Sequence, residues 1–374
     1  MDLSFDEDQC RLAATARRVL SERAGSARLR QTLTTDLGHD PELWREMSGS
    51  LGWTGIVVPE RHGGLGLGAV ELAALMEEMG RALLSAPFFA SVCLAEHVLS
   101  GLEDDAQQAR HLPGLASGEV RGTLAFAETS SMGSWRDMTA QASREGGAFL
   151  LNGEKAYVLD GHSASWLIVA LLLDGAPALF AVPGDAEGLE RRALRTMDAT
   201  RRQASVHLRN VRLGGDALLA SGSAAERALA HGLDLAAIAL AAEQVGGAQH
   251  CLDMALDHAR TRQQFGRPIG SFQAIKHMCA DMLTQLETAR SACYYAAAVA
   301  ASGETALGAL ASLTKVCCSE AYFFCASQCI QIHGGIGFTW EHDAQLHFKR
   351  ARSSMTLLGD PAFHRERIAV GLLD

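Results

Sequence analysis

The sequence predicts an α+β multidomain chain. An N-terminal helical domain covers residues 1–119, a central antiparallel β domain 120–222 and a C-terminal four-helix bundle 223–374. Three observations predict this. Leu72, Leu75, Met76, Met79 and Leu83 recur at the spacing of one helix face. Between about 120 and 222, short apolar runs alternate with turn pairs. From about 223 the helical period returns and persists. At 374 residues the chain is also too long for one simple core.

Each element follows in order. In the first segment Glu71, Glu77, Glu78 and Arg81 fill the polar face opposite the leucines and methionines. The stretch Leu51-Gly-Trp-Thr-Gly-Ile-Val-Val-Pro-Glu-Arg-His-Gly-Gly-Leu-Gly-Leu-Gly68 reads as an irregular connection, its glycines supplying positive φ angles. Its spacing matches neither a P-loop nor a dinucleotide fingerprint, so it is expected to be structural. In the second segment Phe149-Leu-Leu, Asn152-Gly153 and Ala156-Tyr-Val-Leu read as a hairpin, as do Leu167–Leu173 and Ala178–Val182 around Asp174-Gly175. Val206-His-Leu and Val211-Arg-Leu continue the pattern. In the third, Ala224–Ala259 forms one long helix, and Gly246-Gly247 within it requires close packing of another element. Further helices are expected from about Ser271, from about Thr305 to Ile332 after a break at Gly303-Glu304, and near Pro361. Long antiparallel helices make a four-helix bundle, an arrangement that often carries an oligomer interface.

Composition excludes several classes. A net charge of −10 argues against a nucleic-acid surface, although CoA phosphates need only a local basic patch. The acidic opening Met1-Asp-Leu-Ser-Phe-Asp-Glu-Asp is no signal peptide, and no uncharged apolar run reaches the length of a membrane span. The nine cysteines are scattered without CxxC pairs, so a zinc site is not expected, and Cys325/Cys329 suit core packing. Reduced thiols and a cytoplasmic setting follow.

The most specific stretch is Arg262-Gln-Gln-Phe-Gly-Arg-Pro-Ile-Gly-Ser-Phe-Gln273. An arginine offers a planar fork of donors suited to a pyrophosphate, and a glutamine at a helix start adds a neutral donor beside it. The stretch resembles the signature of the acyl-CoA dehydrogenases. So do the Gly-Trp-Thr-Gly-Ile-Val-Val-Pro-Glu-Arg-His-Gly-Gly loop, Asn152-Gly-Glu-Lys155 and Gln331-Ile-His-Gly-Gly-Ile-Gly-Phe338, in the family's order over nearly the whole chain. The resemblance implies FAD, an acyl-CoA thioester substrate and a tetramer. It also implies that Arg262, Phe265, Gln273, Gln331, Gly334 and Gly335 reach the FAD of a neighbouring subunit.

In that family a glutamate removes the α proton of the thioester while the β hydrogen leaves as hydride to the flavin, so the base must touch that proton in a dry pocket. Here Leu358 stands at the usual position of the glutamate. At the alternative position Ala236 replaces it, and Ala237 replaces its arginine neighbour. Two neighbours are candidate substitutes. Glu243 lies seven residues beyond Ala236, about 10 Å along a helix, and suits a polar interhelical contact better. Asp360 follows Leu358 by two residues and suits capping of the helix near Pro361. Where the family carries threonines against the flavin, this chain has Ala127 and Leu159. Tyr157 keeps an aromatic face, and Ser134 matches a serine near the thioester, after an insertion at Ser130-Ser131-Met132.

Groups that reach a neighbour's FAD are thus kept, and groups that hold a chain's own flavin are changed. The pattern resembles the base-deficient subunit of heterotetrameric acyl-CoA dehydrogenases of bacterial steroid or bulky acyl-CoA breakdown. The implied partner is a second acyl-CoA dehydrogenase subunit, with no nucleic acid and no membrane. Three alternatives stay open: a homotetramer with a relocated base, a flavin-dependent monooxygenase on the same fold, and a scaffold.

Overall fold

The structure, a computed structural model, describes residues 3–129, 134–303 and 307–373. The helices of the first segment are α1 (Glu7–Arg23), α2 (Ser26–Leu33), α3 (Pro41–Ser48), α4 (Ala69–Arg81), α5 (His97–Ser100, preceded by a π-helical stretch Phe89–Glu96) and α6 (Asp105–Ala116). Eight strands follow: β1 (Gly122–Ala125), β2 (Gln141–Glu145), β3 (Ala148–Leu159), β4 (Trp166–Leu173), β5 (Ala176–Pro183), β6 (Leu189–Ala193), β7 (Gln203–Gly214) and β8 (Leu218–Ser221). Then come α7 (Ser223–Thr261), a two-rung ribbon of β9 (Gln263–Gln264) and β10 (Arg267–Pro268), α8 (Gln273–Ala301), α9 (Gly308–His333), α10 (Ala344–Thr356) and α11 (Pro361–Leu373). The expected order of helices, sheet and helices holds. By contact the chain forms two compact units that cut across this order: Met1–Gln31, Ala69–Leu84 and Ala237–Asp374 in one, Thr32–Gly68 and Ser85–Ala236 in the other.

In the first unit α9 is central, with α8, α10 and α11 packed on it. α4 crosses α7 at backbone contact. A Cβ on Gly246 would lie 1.7 Å from the Glu77 carbonyl oxygen, and one on Gly80 would lie 1.9 Å from that of Glu243. On Gly247 it would strike the Tyr322 ring at 2.4 Å. The glycine pair inside α7 is therefore explained by packing. The polar face of α4 is not a solvent face: Glu77 and Glu78 are both buried. Glu78 accepts from Arg17 Nε at 2.9 Å and Nη2 at 2.6 Å. Glu77 accepts from Tyr294 Oη at 2.6 Å and is paired with Arg290.

α10 has no counterpart among the sequence expectations. Its buried residues include Gln345, His347, Arg350 and Ser354, so its inward face carries no apolar period. α9 begins at Gly308, and the expected start at Thr305 and the break at Glu304 lie outside the described residues. α7 also passes the length and hydropathy test for a membrane span, contrary to expectation. Its most apolar window is 78% buried within the protein, as in a core helix.

The second unit is built on one eight-stranded sheet ordered β6-β7-β3-β2-β4-β5-β8, with β1 beside β4. Most pairings are antiparallel, but β1 and β2 both pair with β4 in parallel. Asp174-Gly175 makes the expected tight turn, with φ of 53° and 80°. Asn152-Gly153 does not. β3 runs straight through it, and the register against β7 shifts there as a bulge. Gly153 has φ 139°, and a Cβ on it would lie 2.3 Å from that of Ala140. The hairpin turn is instead Gly146-Gly147, φ 54° and 82°, closing β2 onto β3 at Glu145↔Ala148. Val206–Leu208 and Val211–Leu213 lie on the single strand β7, with Asn210 at φ 53° between them.

An ion pair is sealed beside this sheet. Lys155 Nζ lies 2.6 Å from Glu128 Oε1, and both side chains are buried. Glu128 also accepts from Thr139 N (2.7 Å), Thr139 Oγ1 (2.7 Å) and Ala140 N (3.0 Å). Burial would raise the Glu128 carboxyl, yet the donors from Lys155, Thr139 and Ala140 bring it down to about 2.

Two outcomes are expected. Lys155→Met leaves a buried carboxylate without its counter-charge and should cost about 3–5 kcal/mol in urea unfolding. Adding Glu128→Gln, which keeps an acceptor for Thr139 and Ala140, should recover much of that loss. Because the folded Glu128 carboxyl lies below its unfolded value, its contribution is full above about 4.5 and falls as pH drops toward 2. Glu128→Gln should flatten that part of the stability–pH profile. At the helix crossing, Gly246→Ala should destabilise by more than about 3 kcal/mol, since a methyl group cannot occupy the space of a carbonyl oxygen.

Candidate functional site

Both positions expected to lack the base are apolar in the structure. Ala236 and Ala237 are buried within α7. Leu358 is half-buried in the turn between α10 and α11, at φ 61°. The turn is fixed from below. Lys315 Nζ, buried on α9, donates to the carbonyl oxygens of Ser354 (3.0 Å), Met355 (3.3 Å) and Gly359 (3.4 Å). Three of these acceptors cluster at the C-terminal end of α10, where a cation is favourable. His364 Nε2 meets the Leu358 carbonyl at 3.0 Å and its Nδ1 meets Ser312 Oγ at 3.1 Å. Burial, with Lys315 nearby, pushes His364 down to about 4, so it is neutral at pH 7 and can donate from one nitrogen.

The candidate substitute bases are engaged elsewhere. Glu243 Oε1 receives Arg350 Nη1 at 2.6 Å in a buried pair, and Arg350 Nη2 donates to the Leu84 carbonyl at 3.2 Å. Asp360 is exposed. Its Oδ1 accepts from Phe363 N at 2.8 Å and its carbonyl from His364 N at 3.1 Å, so it caps α11.

The positions beside the expected flavin lie in the second unit. Tyr157 is 54% exposed at φ 55°, where β3 departs from regular pairing with β7. Ala127 and Leu159 bring only backbone to hydrogen bonding: Ala156 N donates to the Ala127 carbonyl, and Thr123 Oγ1 to that of Leu159. Ser134 Oγ accepts from Arg136 N at 3.3 Å, capping a short turn. The insertion at Ser130-Ser131-Met132 lies outside the described residues.

The Arg262–Gln273 stretch has a different character. Phe265 and Gly266 turn at φ 54° and 75° between β9 and β10, and Ile269 N donates to the Arg262 carbonyl at 2.8 Å. This small ribbon returns the chain to the start of α8 beside Arg262. The Arg262 side chain is exposed and has no hydrogen-bond or ion-pair partner among the described residues. Gln273 is exposed in the first turn of α8, whose N-terminus has no side-chain cap. Free guanidinium donors beside an uncapped helix N-terminus fit a diphosphate. Phe265 is 89% exposed, with its ring edge-on to Phe272.

At the end of α9, Gln331, Gly334 and Gly335 are all exposed. Gly334 has φ 66°, and nothing lies within 4 Å of a Cβ on either glycine. Sequence reasoning passed over the contact that joins this end to α7. His258 stacks on His333 at 4.3 Å between centroids, and His333 meets His342 at 4.3 Å. His258 precedes Arg262 by one turn and His333 adjoins Gly334, so the stack places both stretches at the same end of the unit. The only sequence signal was the presence of His258 and His333 in the two segments already singled out.

Comparison with known proteins accords with this geometry. The description "Acyl-CoA dehydrogenase, N-terminal domain" matches residues 6–119, and "Acyl-CoA dehydrogenase, C-terminal domain" matches 226–373. The chain is 32% identical to acyl-CoA dehydrogenase IpdE2 of Mycolicibacterium smegmatis, covering 97% of this chain and 98% of that one. Among solved structures it resembles a variant of the Tcur3481-Tcur3483 steroid ACAD (31% identity, TM-score 0.88, 98% and 99% covered). It also resembles the ChsE4-ChsE5 complex from Mycobacterium tuberculosis (25% identity, TM-score 0.90, 100% and 99% covered). The chain belongs to the acyl-CoA dehydrogenase family.

Proposed function

We propose that this chain is a subunit of an FAD-dependent acyl-CoA dehydrogenase, lacking the usual catalytic glutamate and completing the FAD site of a partner subunit. The reaction is α,β-dehydrogenation of an acyl-CoA thioester. A bulky, steroid-type acyl group is the substrate class, in line with the names carried by two of the relatives. The observation that carries this reading is a contrast. Leu358 and Ala236 put hydrocarbon where an α-proton acceptor would stand. Arg262 and the open N-terminus of α8 offer exposed, unpartnered donors.

FAD, when bound, supplies the hydride acceptor. The residues of this chain would bind and orient it. Arg262 would hold the diphosphate by charge-assisted hydrogen bonds, and Gln273 and the first amides of α8 would add neutral ones. The glycines at 334 and 335 leave room for close approach. No side chain at 236 or 358 can hold a proton. Glu243, fixed on Arg350, serves packing rather than proton transfer. The partner subunit would then contribute the base and the larger part of the flavin seat, giving a heterotetramer.

Flavin content separates the possibilities. Expressed alone, the chain should purify with well under one FAD per chain, and co-expression with a base-bearing family member should restore it. In the assembled complex Arg262→Ala removes charged hydrogen bonds worth about 1.5–3 kcal/mol, so flavin affinity should fall roughly 10- to 100-fold. Tyr157→Ala should matter less. One FAD per chain in the isolated protein, bleached by acyl-CoA, would show that it works alone. A larger loss from Tyr157→Ala would assign the flavin to this chain.

A further inference from the structure

A cavity of about 390 Å³ lies wholly within the first unit, between α1, α2, α4, α7 and α10. It is separate from the positions discussed above, since Glu243, Leu358 and Asp360 do not line it. Leu20, Ala24, Leu29 and Leu83 form its apolar wall. The size and lining are those of a small-molecule site.

The charges around it are balanced. Arg17 pairs with Glu78 at 2.6 Å, Arg81 Nη1 with Asp253 at 2.5 Å and Arg30 with Asp343. A charged ligand would have to break one of these pairs or enter without a counter-ion. Two groups remain unsatisfied. Arg81 Nε is buried and has no hydrogen-bond partner, its nearest carboxylate oxygen on Glu78 being 3.8 Å away. His250, half-buried on the cavity wall, has no hydrogen-bond partner among the described residues. Its ring lies 4.9 Å from that of His347, tilted by 30°. His347 is held by Tyr322, whose hydroxyl meets its Nδ1 at 2.9 Å. Burial, then Arg81, lowers His250, so the imidazole is neutral and offers one donor and one acceptor. An unpaired buried donor beside a neutral imidazole calls for an oxygen acceptor.

We propose that this cavity binds a small uncharged cyclic molecule bearing a single carbonyl or hydroxyl oxygen, which accepts from Arg81 Nε and lies against His250 and the apolar wall. This is a second ligand site, independent of flavin and of the thioester.

The probe is 1-indanone, titrated by calorimetry into the purified full-length chain without acyl-CoA. Saturable binding at one site per chain is expected. Indane, which lacks the oxygen, should bind about five-fold more weakly or worse, and indane-1-carboxylate should not bind. Arg81→Lys keeps a cation for Asp253 but removes the Nε donor, and should weaken 1-indanone about five-fold or more. Ala24→Leu should fill the cavity and abolish binding, with the far-UV circular dichroism unchanged. Should Ala24→Leu fail to fold, Arg81→Lys and the indane pair decide. The proposal is overturned if 1-indanone does not saturate, if indane binds equally well, or if Arg81→Lys leaves the affinity unchanged.

Discussion

The backbone-to-backbone crossing of α4 and α7 is the constraint on which the helical unit depends. Gly80 and Gly246 have no room for a Cβ, so the two helices sit closer than side-chain packing allows. That approach buries the carboxylates of Glu77, Glu78 and Glu243. Buried carboxylates need cations, and Arg290, Arg17 and Arg350 supply them from α8, α1 and α10. One steric fact at two glycines thus fixes which charges the surrounding helices must carry. It also explains why Glu243 is unsuited to proton transfer despite its place on α7.

The sheet unit solves an equivalent problem with Glu128 and Lys155. The carboxylate gathers donors from the Thr139-Ala140 segment and from β3, holding together strands that the bulge at Gly153 would otherwise loosen. Tyr157 then stands out from the strand just beyond the second irregularity. Irregular pairing in β3 therefore sets the exposed aromatic face, while the ion pair one turn of pleat away keeps the strand in place.

Each element of the candidate site is divided by accessibility. Positions that would do proton chemistry are filled with hydrocarbon, or with a carboxylate already bound to an arginine or a helix N-terminus. Positions that would meet a diphosphate are open and unpaired. An exposed guanidinium and an uncapped helix contribute little to the stability of their own chain, so their physical sense lies in a ligand or a partner. The histidine stack at the end of α7 and α9 gives that surface a fixed base.

Much of this was written locally in the chain. Period and turn chemistry determined the order of helices and strands, the Asp174-Gly175 turn, the length of α7 and the need for a close neighbour at Gly246. Local spacing also sufficed to find Arg262, Gln273 and the missing glutamates, because those depend on residue type at a position. What the sequence could not decide were pairings between distant residues. Asn152-Gly153 carries a turn signal, but the partner strand β7 holds it extended, and Gly146-Gly147 turns instead. The polar face of α4 looked solvated, yet Arg17 and Arg290 cover it. α10 hid because its inward face is polar, satisfied by groups far away in the chain. Arg81 and His250, some 170 residues apart, became a site only when folding placed them on one cavity. Local pattern records what a residue prefers, and tertiary structure decides which partner satisfies it.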